Sequence, residues 1–268
     1  MSGPGGAGRV VLRHAGGATW ITIDRPDALN ALDPETKAAL LAALEDAADD
    51  PAVRVVALTG GGRAFCVGED LRALEAGYRD GRAADLAATL DSFYAPAVRL
   101  LAEMPKPTVA CVNGVAAGAG ASLAFACDLR LASAAASFTL AFSGVGLIPD
   151  AGATWHLPRL VGLARALELA LLGDRLGAED ARRAGLVSRV WPAEEFGARA
   201  EETVARLAAG PTTALALAKQ LLRASHTAAL DTALAAEARA QAAAGATADH
   251  LEGVAAFLAK RAPEFTGQ

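Results

Sequence analysis

The sequence has few cysteines, little positive charge and no long apolar run. Only three of its 268 residues are cysteine, without metal-ligand spacing, so a disulfide framework is excluded and a reduced, cytoplasmic compartment is expected. The apolar segments are broken by glycine and charged residues, and none offers the roughly 18 unbroken residues of a membrane span. The net charge of −5 disfavours nucleic-acid binding, which needs a basic face. An anionic ligand must therefore be held by a few local cations and backbone dipoles.

The motifs of several enzyme classes are also missing. Residues 60–62 are glycines, but they are followed by Arg63 and Ala64 and not by the Gly-Lys-Ser/Thr of a phosphate loop. The glycines of residues 113–120 lack the dinucleotide-binding spacing, and no two of the four histidines stand at metal-ligand spacing. Residues 120–124 approach a nucleophile elbow, yet the last position is alanine and the triad partners cannot be placed. The sequence thus disfavours phosphate-loop, dinucleotide-binding, metal-dependent and serine-nucleophile enzymes.

What the sequence does contain is a large apolar fraction in an α/β rhythm. Hydrophobic residues make up 53% of the chain, so a large core is expected. Residues 9–13 and 19–24 predict a hairpin around Gly16 and Gly17. Buried strands are predicted at residues 53–59, 108–112 and 128–132. The strands alternate with turns and helices, a pattern typical of an α/β fold with parallel strands.

Helix signals divide the chain into a leader, a core and a helical end. Asp33 and Pro34 predict an N-cap and first turn of a helix that ends near residue 50. A later helical stretch is interrupted around residues 77–81 and resumes over 86–104. The only strand signal after Asp150 is at residues 187–191, and helices are predicted at 193–209, 211–225, 230–244 and 248–260. We therefore expect a flexible leader over residues 1–8, an α/β core over 9–188 and a helical C-terminal region over 189–268.

Two glycine-rich turns follow predicted buried strands, at residues 63–71 and 113–120. Each turn could leave a free backbone N–H in a crevice at the carboxyl ends of parallel strands. Two converging N–H donors would form an oxyanion hole for a thioester enolate. The alternative is that both segments are only tight turns, and spacing does not decide between the two.

Asp150 follows an apolar run and precedes a predicted helix. One interpretation is a helix N-cap, which contributes about 1 kcal/mol. The other is a general base, because a carboxylate in an apolar pocket has a raised pKa. Position in the sequence favours the N-cap.

Four stretches together resemble the crotonase (enoyl-CoA hydratase/isomerase) superfamily. They are residues 24–32, 64–71, 105–128 and 146–160, and the resemblance runs from about Arg9 to Gln268. It implies a spiral of ββα turns with a helical trimerisation region. It also implies that the backbone N–H groups of Glu69 and Ala119 stabilise a coenzyme A thioester enolate, with Asp150 as acid/base. Since those turns would use backbone atoms, side-chain identity there is expected to matter little.

Two positions depart from the hydratases of this family. Hydratases activate and deliver water with two glutamates, and the corresponding positions here are Ser122 and Phe142. Neither side chain exchanges a proton usefully near neutral pH, whereas the single carboxylate of Asp150 suffices to move a proton between two carbons. The departure favours isomerisation over hydration.

A closer resemblance lies in residues 115–122, 141–150 and the tail 252–267. These are similar to the ring-1,2-epoxyphenylacetyl-CoA isomerases of phenylacetate catabolism, which form an oxepin thioester and shift double bonds in enoyl-CoAs. An enoyl-CoA hydratase or another acyl-CoA enzyme of the family is the alternative. A second alternative is a non-catalytic acyl-CoA-binding or RNA-binding member, which the acidic pI disfavours.

The resemblance also implies where coenzyme A and a neighbouring subunit would bind. Coenzyme A is part of the substrate, and no separate cofactor or metal is expected. The implied substrate-binding residues are Arg25, Ala28, Glu69, Asp70, Leu71, Arg72, Ala119 and Lys260, the last from either subunit. Apolar residues after Pro211 exceed what one helical stripe needs, so a homotrimer or a hexamer made of two trimers is predicted.

Overall fold

The computed structural model describes residues 9–79 and 85–268. The strands are β1 (Val10–Ala15), β2 (Ala18–Ile23), β3 (Val55–Gly60), β4 (Ala64–Cys66), β5 (Thr108–Val112), β6 (Val115–Ala117), β7 (Leu129–Ser133), β8 (Ser137–Thr139), β9 (Leu176–Gly177) and β10 (Arg189–Trp191). The helices are α1 (Pro34–Asp49), α2 (Leu71–Arg79), α3 (Leu86–Thr89), α4 (Ala95–Glu103), α5 (Ala119–Ala126), α6 (Ala153–Val161), α7 (Leu163–Leu172), α8 (Ala178–Arg183), α9 (Ala193–Ala208), α10 (Thr212–Ser225), α11 (Leu230–Gly245) and α12 (Ala248–Leu258). Single turns of 3-10 helix occur at Pro26–Ala28 and Ser143–Val145, and a π-helical turn spans Leu90–Tyr94. The predicted leader over residues 1–8 lies outside the described residues.

Local signals place the first elements as predicted. Strands β1 and β2 pair antiparallel across Gly16 and Gly17, both at positive φ. Helix α1 begins at Pro34, and the Asp33 carboxylate accepts a hydrogen bond from the Thr36 N–H, which confirms the N-cap. Helix α2 continues to Arg79, past residue 77, where the predicted interruption begins; residues 80–84 lie outside the described part of the chain.

The strands form two sheets, and the chain alternates between them. The six-stranded sheet has the order β1-β2-β3-β5-β7-β10, and the four-stranded sheet has the order β4-β6-β8-β9. The strands follow one another in three pairs, β3/β4, β5/β6 and β7/β8. The first strand of each pair belongs to the six-stranded sheet and the second to the four-stranded sheet, and helices follow each pair. Within each sheet the strands of these pairs run parallel. This arrangement confirms the α/β fold and the spiral of ββα turns.

The four-stranded sheet was missed by the sequence analysis. Residues 113–120 were predicted as one tight turn, but Val115–Ala117 forms β6. Leu176–Gly177 forms β9, although no strand was predicted there. These strands have only two or three residues, which is too short to show the period-2 alternation of a strand. These short strands form because neighbouring segments supply pairing partners, not because their own residues favour extended structure.

Both faces of the six-stranded sheet are covered. Strands β2, β3 and β5 are almost entirely buried, as expected for central strands with helices on both sides. Helix α9 covers one face with Phe196, Ala200, Val204 and Ala208. Residues 189–208, which the sequence analysis assigns to the helical end, therefore pack with the core, since β10 also pairs with β7.

Helices α10–α12 begin and end close to their predicted positions but bury little. Only Thr212 in α10 and Asp249 and Ala256 in α12 are buried. Phe257 is 83% exposed, and several large apolar side chains beside it are exposed as well. None of the helices in the described ranges combines the length and apolar character needed to cross a membrane.

Candidate active site

An apolar cavity of about 270 Å³ lies where three parallel strands end. Strands β4, β6 and β8 run parallel, and the segment that follows each one enters the cavity wall. The wall consists of Val67, Glu69, Leu71, Leu74, Leu86, Thr89, Leu90, Tyr94, Gly118, Ala119, Ala141, Phe142, Val145, Leu147, Ile148 and Asp150. Ligands commonly bind outside the carboxyl ends of parallel strands. The three residues predicted to do the chemistry, Glu69, Ala119 and Asp150, thus line one cavity.

The two glycine-rich turns are pressed against each other. Gly68 has a φ of +84°, and a Cβ at this position would lie 2.9 Å from the Ala119 nitrogen. A Cβ on Gly120 would lie 2.2 Å from the Cys66 carbonyl oxygen. Only glycine allows this approach, because any side chain would push the backbones apart. The turns are therefore parts of one built structure.

The backbone around the predicted oxyanion donors is held by hydrogen bonds. The Gly118 N–H donates to the Thr139 carbonyl, and the Asp70 N–H donates to the Leu32 carbonyl. Among the described residues no acceptor pairs with the N–H of Glu69 or of Ala119, and both residues line the cavity. Ala119 is also the first residue of α5, where the helix dipole favours negative charge. The geometry suits the binding of a developing oxyanion.

Asp150 does not cap a helix. The N-cap position of α6 is Gly152, which has a φ of +77°, and Asp150 contributes only its carbonyl oxygen, which accepts from the Ala153 N–H. The Asp150 Oδ1 atom is buried and has no hydrogen-bond partner in the described part of the chain. The N-cap interpretation is therefore wrong. A carboxylate oxygen left free next to an apolar cavity is available to take a proton from a ligand.

Burial, and to a smaller extent the negative charge of Glu69, raise the pKa of Asp150 to about 6. A base with this pKa is ionised at neutral pH and is still basic enough to hold a proton briefly. Asp150 also lies on the wall of a second cavity, of about 720 Å³, which contains His156 and Arg223. Burial, together with the charge of Arg223 and other arginines, lowers the pKa of His156 to about 4, so this imidazole is neutral at pH 7.

The two positions that carry glutamates in hydratases supply no acid or base. Ser122 is fully buried, and its hydroxyl donates to the Gly118 carbonyl within α5. The Phe142 ring forms part of the cavity wall. Neither Ser122 nor Phe142 therefore supplies a second group that could exchange a proton.

The side chain of Glu69 also faces the cavity, which the sequence analysis did not foresee. Its carboxylate accepts a 2.7 Å hydrogen bond from Lys37 Nζ and another of 2.7 Å from the Tyr94 hydroxyl. Lys37 and Tyr94 are 32 and 25 residues away in the sequence, so no local pattern could have linked them. The cavity therefore carries two carboxylates, one paired and one unpaired.

Several residues predicted to bind coenzyme A lie outside this cavity wall. Arg25 is engaged within the protein, at 3.2 Å from an Asp33 oxygen and 3.1 Å from an Asp70 oxygen. The Asp70 carboxylate also accepts from the Arg72 N–H at the start of α2. Arg72 and Lys260 are exposed, and Ala28 is partly exposed at the end of a 3-10 turn. Of the predicted binding residues, Leu71 joins Glu69 and Ala119 on the wall.

The described residues contain no group of three or more His, Cys, Asp or Glu side chains placed to hold a metal ion. Cys66 lies directly behind the Glu69 turn, and the Gly68 N–H donates to its sulfur at 3.4 Å. Burial raises the pKa of the Cys66 thiol to about 12, so it remains a neutral packing group. Proton transfer in the cavity thus depends on oxygen acids.

A ββα spiral with two backbone N–H groups that are unpaired within the described residues and a carboxylate at one apolar cavity is suited to an enzyme that stabilises a developing oxyanion. The model of the enoyl-CoA hydratase/isomerase family matches residues 13–268. A relative named 1,2-epoxyphenylacetyl-CoA isomerase, from Escherichia coli (strain K12), is 46% identical over 252 residues, covering 94% of this chain and 96% of the relative. The chain therefore belongs to the enoyl-CoA hydratase/isomerase family.

Other members of the family agree with the fold and carry hydratase names. A "Probable enoyl-CoA hydratase" from Rhodobacter capsulatus is 44% identical over 252 residues, covering 94% of this chain and 95% of the relative. The crystal structure of an enoyl-CoA hydratase from Bacillus anthracis superimposes with a TM-score of 0.90 at 33% identity, covering 97% of this chain and 100% of that chain. Sequence and fold thus agree on the family, whereas its members carry both isomerase and hydratase names.

Proposed function

We propose that this protein is an acyl-CoA isomerase that moves a proton between two carbons of a coenzyme A thioester with Asp150. The observation that carries the proposal is the unpaired Asp150 oxygen on an apolar cavity that also holds the turns of Glu69 and Ala119. A single base with a pKa near the working pH can both take and return a proton. Hydration would need a second group to activate water, and Ser122 and Phe142 do not provide one.

In the proposed reaction the thioester carbonyl oxygen accepts hydrogen bonds from the Glu69 and Ala119 N–H groups. Asp150 removes a proton from the carbon next to the carbonyl, and the electron pair becomes the enolate that these donors stabilise. The same carboxyl group then returns the proton to the far end of the conjugated system. The double bond shifts, and neither water nor a redox partner is consumed.

The cavity favours a neutral, apolar acyl group. No lysine or arginine occurs among the described lining residues, whereas two carboxylates do. An acyl chain that ends in a carboxylate would meet like charge without a counterion. Together with the relative named 1,2-epoxyphenylacetyl-CoA isomerase, this supports 2-(1,2-epoxy-1,2-dihydrophenyl)acetyl-CoA as substrate, in phenylacetate catabolism, with double-bond shifts in enoyl-CoAs as a further activity.

The test compares three reactions on one enzyme preparation. The assays are conversion of the ring-epoxide thioester, isomerisation of a 3-enoyl-CoA to the 2-enoyl-CoA, and hydration of crotonyl-CoA. We expect the first two reactions to proceed and hydration to be slower by about 10²-fold or more, because one general acid/base typically contributes a rate factor of this size. Comparable hydration and isomerisation rates would overturn the single-carboxylate mechanism.

The hydratase alternative has one specific observation in its favour, namely the 44% identical relative with a hydratase name. It requires a water-activating group other than Ser122 and Phe142, and the paired carboxylate of Glu69 is the remaining candidate in the cavity. The RNA-binding alternative is disfavoured by the net charge of −5. An electrophoretic mobility shift assay with single-stranded RNA separates that alternative from the enzyme.

We further propose that coenzyme A lies along the Pro26–Ala28 turn and the start of α2. Backbone groups near Ala28 and Leu71 would hold the adenine and pantetheine, with Arg25, Arg72 and Lys260 near the phosphates. The exposure of Arg72 and Lys260 supports this, because neither cation is buried in the protein. The Arg25 ion pairs with Asp33 and Asp70 limit its share of phosphate binding.

The proposal includes assembly into a homotrimer or a hexamer. Exposed apolar side chains on α11 and α12, such as Leu230, Leu251 and Phe257, are not covered by the described part of the chain. We expect a solution mass of three or six times 27.1 kDa by light scattering, and loss of activity when the tail beyond Ala248 is deleted. A fully active monomer would exclude a contribution of Lys260 from a neighbouring subunit. The three buried thiols are consistent with the proposed cytoplasmic location.

A further inference from the structure

The Glu69 side chain is anchored by groups from two other elements. Lys37 belongs to α1 and Tyr94 to the π-helical turn Leu90–Tyr94, and each donates one 2.7 Å hydrogen bond to a different carboxylate oxygen. Lys37 is 8% exposed and Tyr94 is 2% exposed. The Lys37 ammonium also lies 5.9 Å from the centre of the Tyr94 ring. The carboxylate is therefore fixed in place while it still forms part of the cavity wall.

The Glu69 backbone is held from the opposite side. The Leu32 N–H donates to the Gly68 carbonyl, and the Asp70 N–H donates to the Leu32 carbonyl, so the residues on both sides of Glu69 are tied to the same neighbour. Gly68 itself has a left-handed φ of +84°. Because glycine is conformationally permissive, contacts from neighbouring residues are needed to fix the orientation of this peptide. The Glu69 side chain supplies a second tether beside the N–H to which the proposed function assigns the thioester oxygen.

We propose that the Glu69 side chain is a positioning residue: its carboxylate, held by Lys37 and Tyr94, fixes the Glu69 N–H in the oxyanion turn and places a negative charge on the cavity of Asp150. The inference rests on the proposed function and deepens it. Because both Glu69 oxygens already accept hydrogen bonds from Lys37 and Tyr94, this carboxylate acts through position and charge and does not exchange the proton itself. The identity of this side chain therefore matters, in contrast to the expectation from sequence.

The charge of Glu69 should shift the pKa of Asp150 in a direction that can be measured. A negative charge near Asp150 disfavours ionisation of that carboxyl, in addition to the effect of burial. Tyr94 shares the first cavity with Asp150, and burial raises the pKa of its phenol so that it stays neutral. The second cavity adds further groups near Asp150, and these are Arg99, Glu103, His156 and Arg223. Glu103 is exposed and serves as the matched control carboxylate.

The first test separates position from charge with two variants. Glu69→Gln keeps an oxygen to accept from Lys37 and an amide that can donate to the Tyr94 oxygen, whereas Glu69→Ala removes both tethers. At pH 8, where Asp150 is ionised in all forms, we expect Glu69→Ala to lose about tenfold or more in kcat, since small misplacements of reacting groups are costly. Glu69→Gln should stay within about threefold of wild type. Equal losses in both variants would overturn the positioning role.

The second test measures the pH dependence of kcat/KM. Glu69→Gln should move the acid limb to lower pH by about 0.5–1 unit, because a like charge is removed. Lys37→Met should move the limb to higher pH, because the charge of Glu69 loses its counterion. Glu103→Gln should leave it in place. A limb that is unmoved in both the Glu69 and Lys37 variants, or that moves equally in Glu103→Gln, would overturn the charge role.

Spectroscopy on the ligand-free enzyme tests the role of the Glu69 side chain independently of catalytic turnover. With ¹³C-labelled aspartate, the carboxyl titration of Asp150 in ligand-free enzyme must show the same opposite shifts in Glu69→Gln and Lys37→Met. In deuterated protein the amide signal of residue 69 must be single in wild type and Glu69→Gln, and broadened or multiple in Glu69→Ala. These signals are expected even if the wild-type enzyme shows no isomerase turnover, in which case the proposed function alone fails. Absent shifts in a fully active enzyme would instead refute the inference alone.

Discussion

The loop that carries Asp150 and the turn that carries Glu69 each present a carboxylate to the same cavity, but the two groups have opposite surroundings. Asp150 Oδ1 is buried with no hydrogen-bond partner in the described residues, and its pKa is raised to about 6. Both oxygens of Glu69 are occupied, by the ammonium of Lys37 and the hydroxyl of Tyr94. An unpaired carboxylate oxygen can accept and return a proton. A carboxylate whose oxygens both accept hydrogen bonds can instead fix its neighbours in position and act through its charge.

The difference shows how one cavity assigns two roles to the same chemical group. An unpaired carboxylate in an apolar site is costly to the fold and therefore indicates function. A paired carboxylate satisfies buried donors, and its removal would leave the ammonium of Lys37 without a counterion. Each of the following predictions tests one side of this contrast.

The largest expected effect comes from Asp150→Asn. The amide has nearly the same shape but cannot accept a proton, so isomerisation should fall by about 10²–10⁴-fold, the usual contribution of a general base. Acyl-CoA affinity by calorimetry should stay close to wild type, because the amide keeps the size of the carboxylate and none of the proposed coenzyme A contacts is removed. Turnover within a few-fold of wild type would remove Asp150 from the mechanism.

Next in size is Gly68→Ala, which disturbs the Glu69 turn and leaves Asp150 unchanged. A Cβ would lie 2.9 Å from the Ala119 nitrogen and would have to be accommodated at a φ of +84°. We expect a loss of about 10²-fold in kcat, similar to the loss of one oxyanion donor. Gly16→Ala is the matched control, since Gly16 also has a positive φ of +56° but a Cβ there would meet no atom within 4 Å. If both variants lose activity equally, backbone strain and not the contact between the turns is responsible.

The wild-type pH profile should reflect the raised pKa of Asp150. The base must be ionised to act, so kcat/KM should be constant above about pH 7 and fall about tenfold per unit below pH 6. A stopped-time assay in buffers of constant ionic strength measures this. An acid limb near pH 4 would mean that Asp150 is not the essential base or that substrate-free enzyme is more open.

The smallest effect concerns stability. The pKa of Asp150 is raised on folding from 3.8 to about 6, so ionisation opposes folding as the pH rises through this window and the full cost is present above it. After discounting for solvent screening, the cost is about 1 kcal/mol. Asp150→Asn should therefore melt about 2–4 °C higher than wild type at pH 8, with no gain at pH 3. Equal melting temperatures at both pH values would contradict the cost assigned to this group.

Sequence patterns predicted the elements whose signals are local. The proline and capping aspartate of α1, the apolar runs of β3 and β5 and the helices of the C-terminal end were all placed within a few residues. The family resemblance brought Glu69, Ala119 and Asp150 together, and the structure places all three on one cavity. The roles of these residues stay predictions until the variants are measured.

Other features could not be predicted because they depend on contacts between distant segments. The strands β6 and β9 have three and two residues, so only their neighbours define them. The N-cap interpretation of Asp150 was wrong because the N-cap of α6 is Gly152, in a left-handed conformation, and no side chain donates or accepts a capping hydrogen bond there. No pattern linked Lys37 and Tyr94 to the Glu69 side chain.

The sequence by itself determined the family, the order of the elements and the absence of glutamates at positions 122 and 142, since these follow from residue identity and hydrophobic period. Only the tertiary structure decided which carboxylate is free. Proton affinity and hydrogen bonding depend on the burial and the charges around a group, and those are set by segments that meet through space. In this protein two carboxylates of the same kind became a candidate base and a tether because Lys37 and Tyr94 reach one of them and not the other.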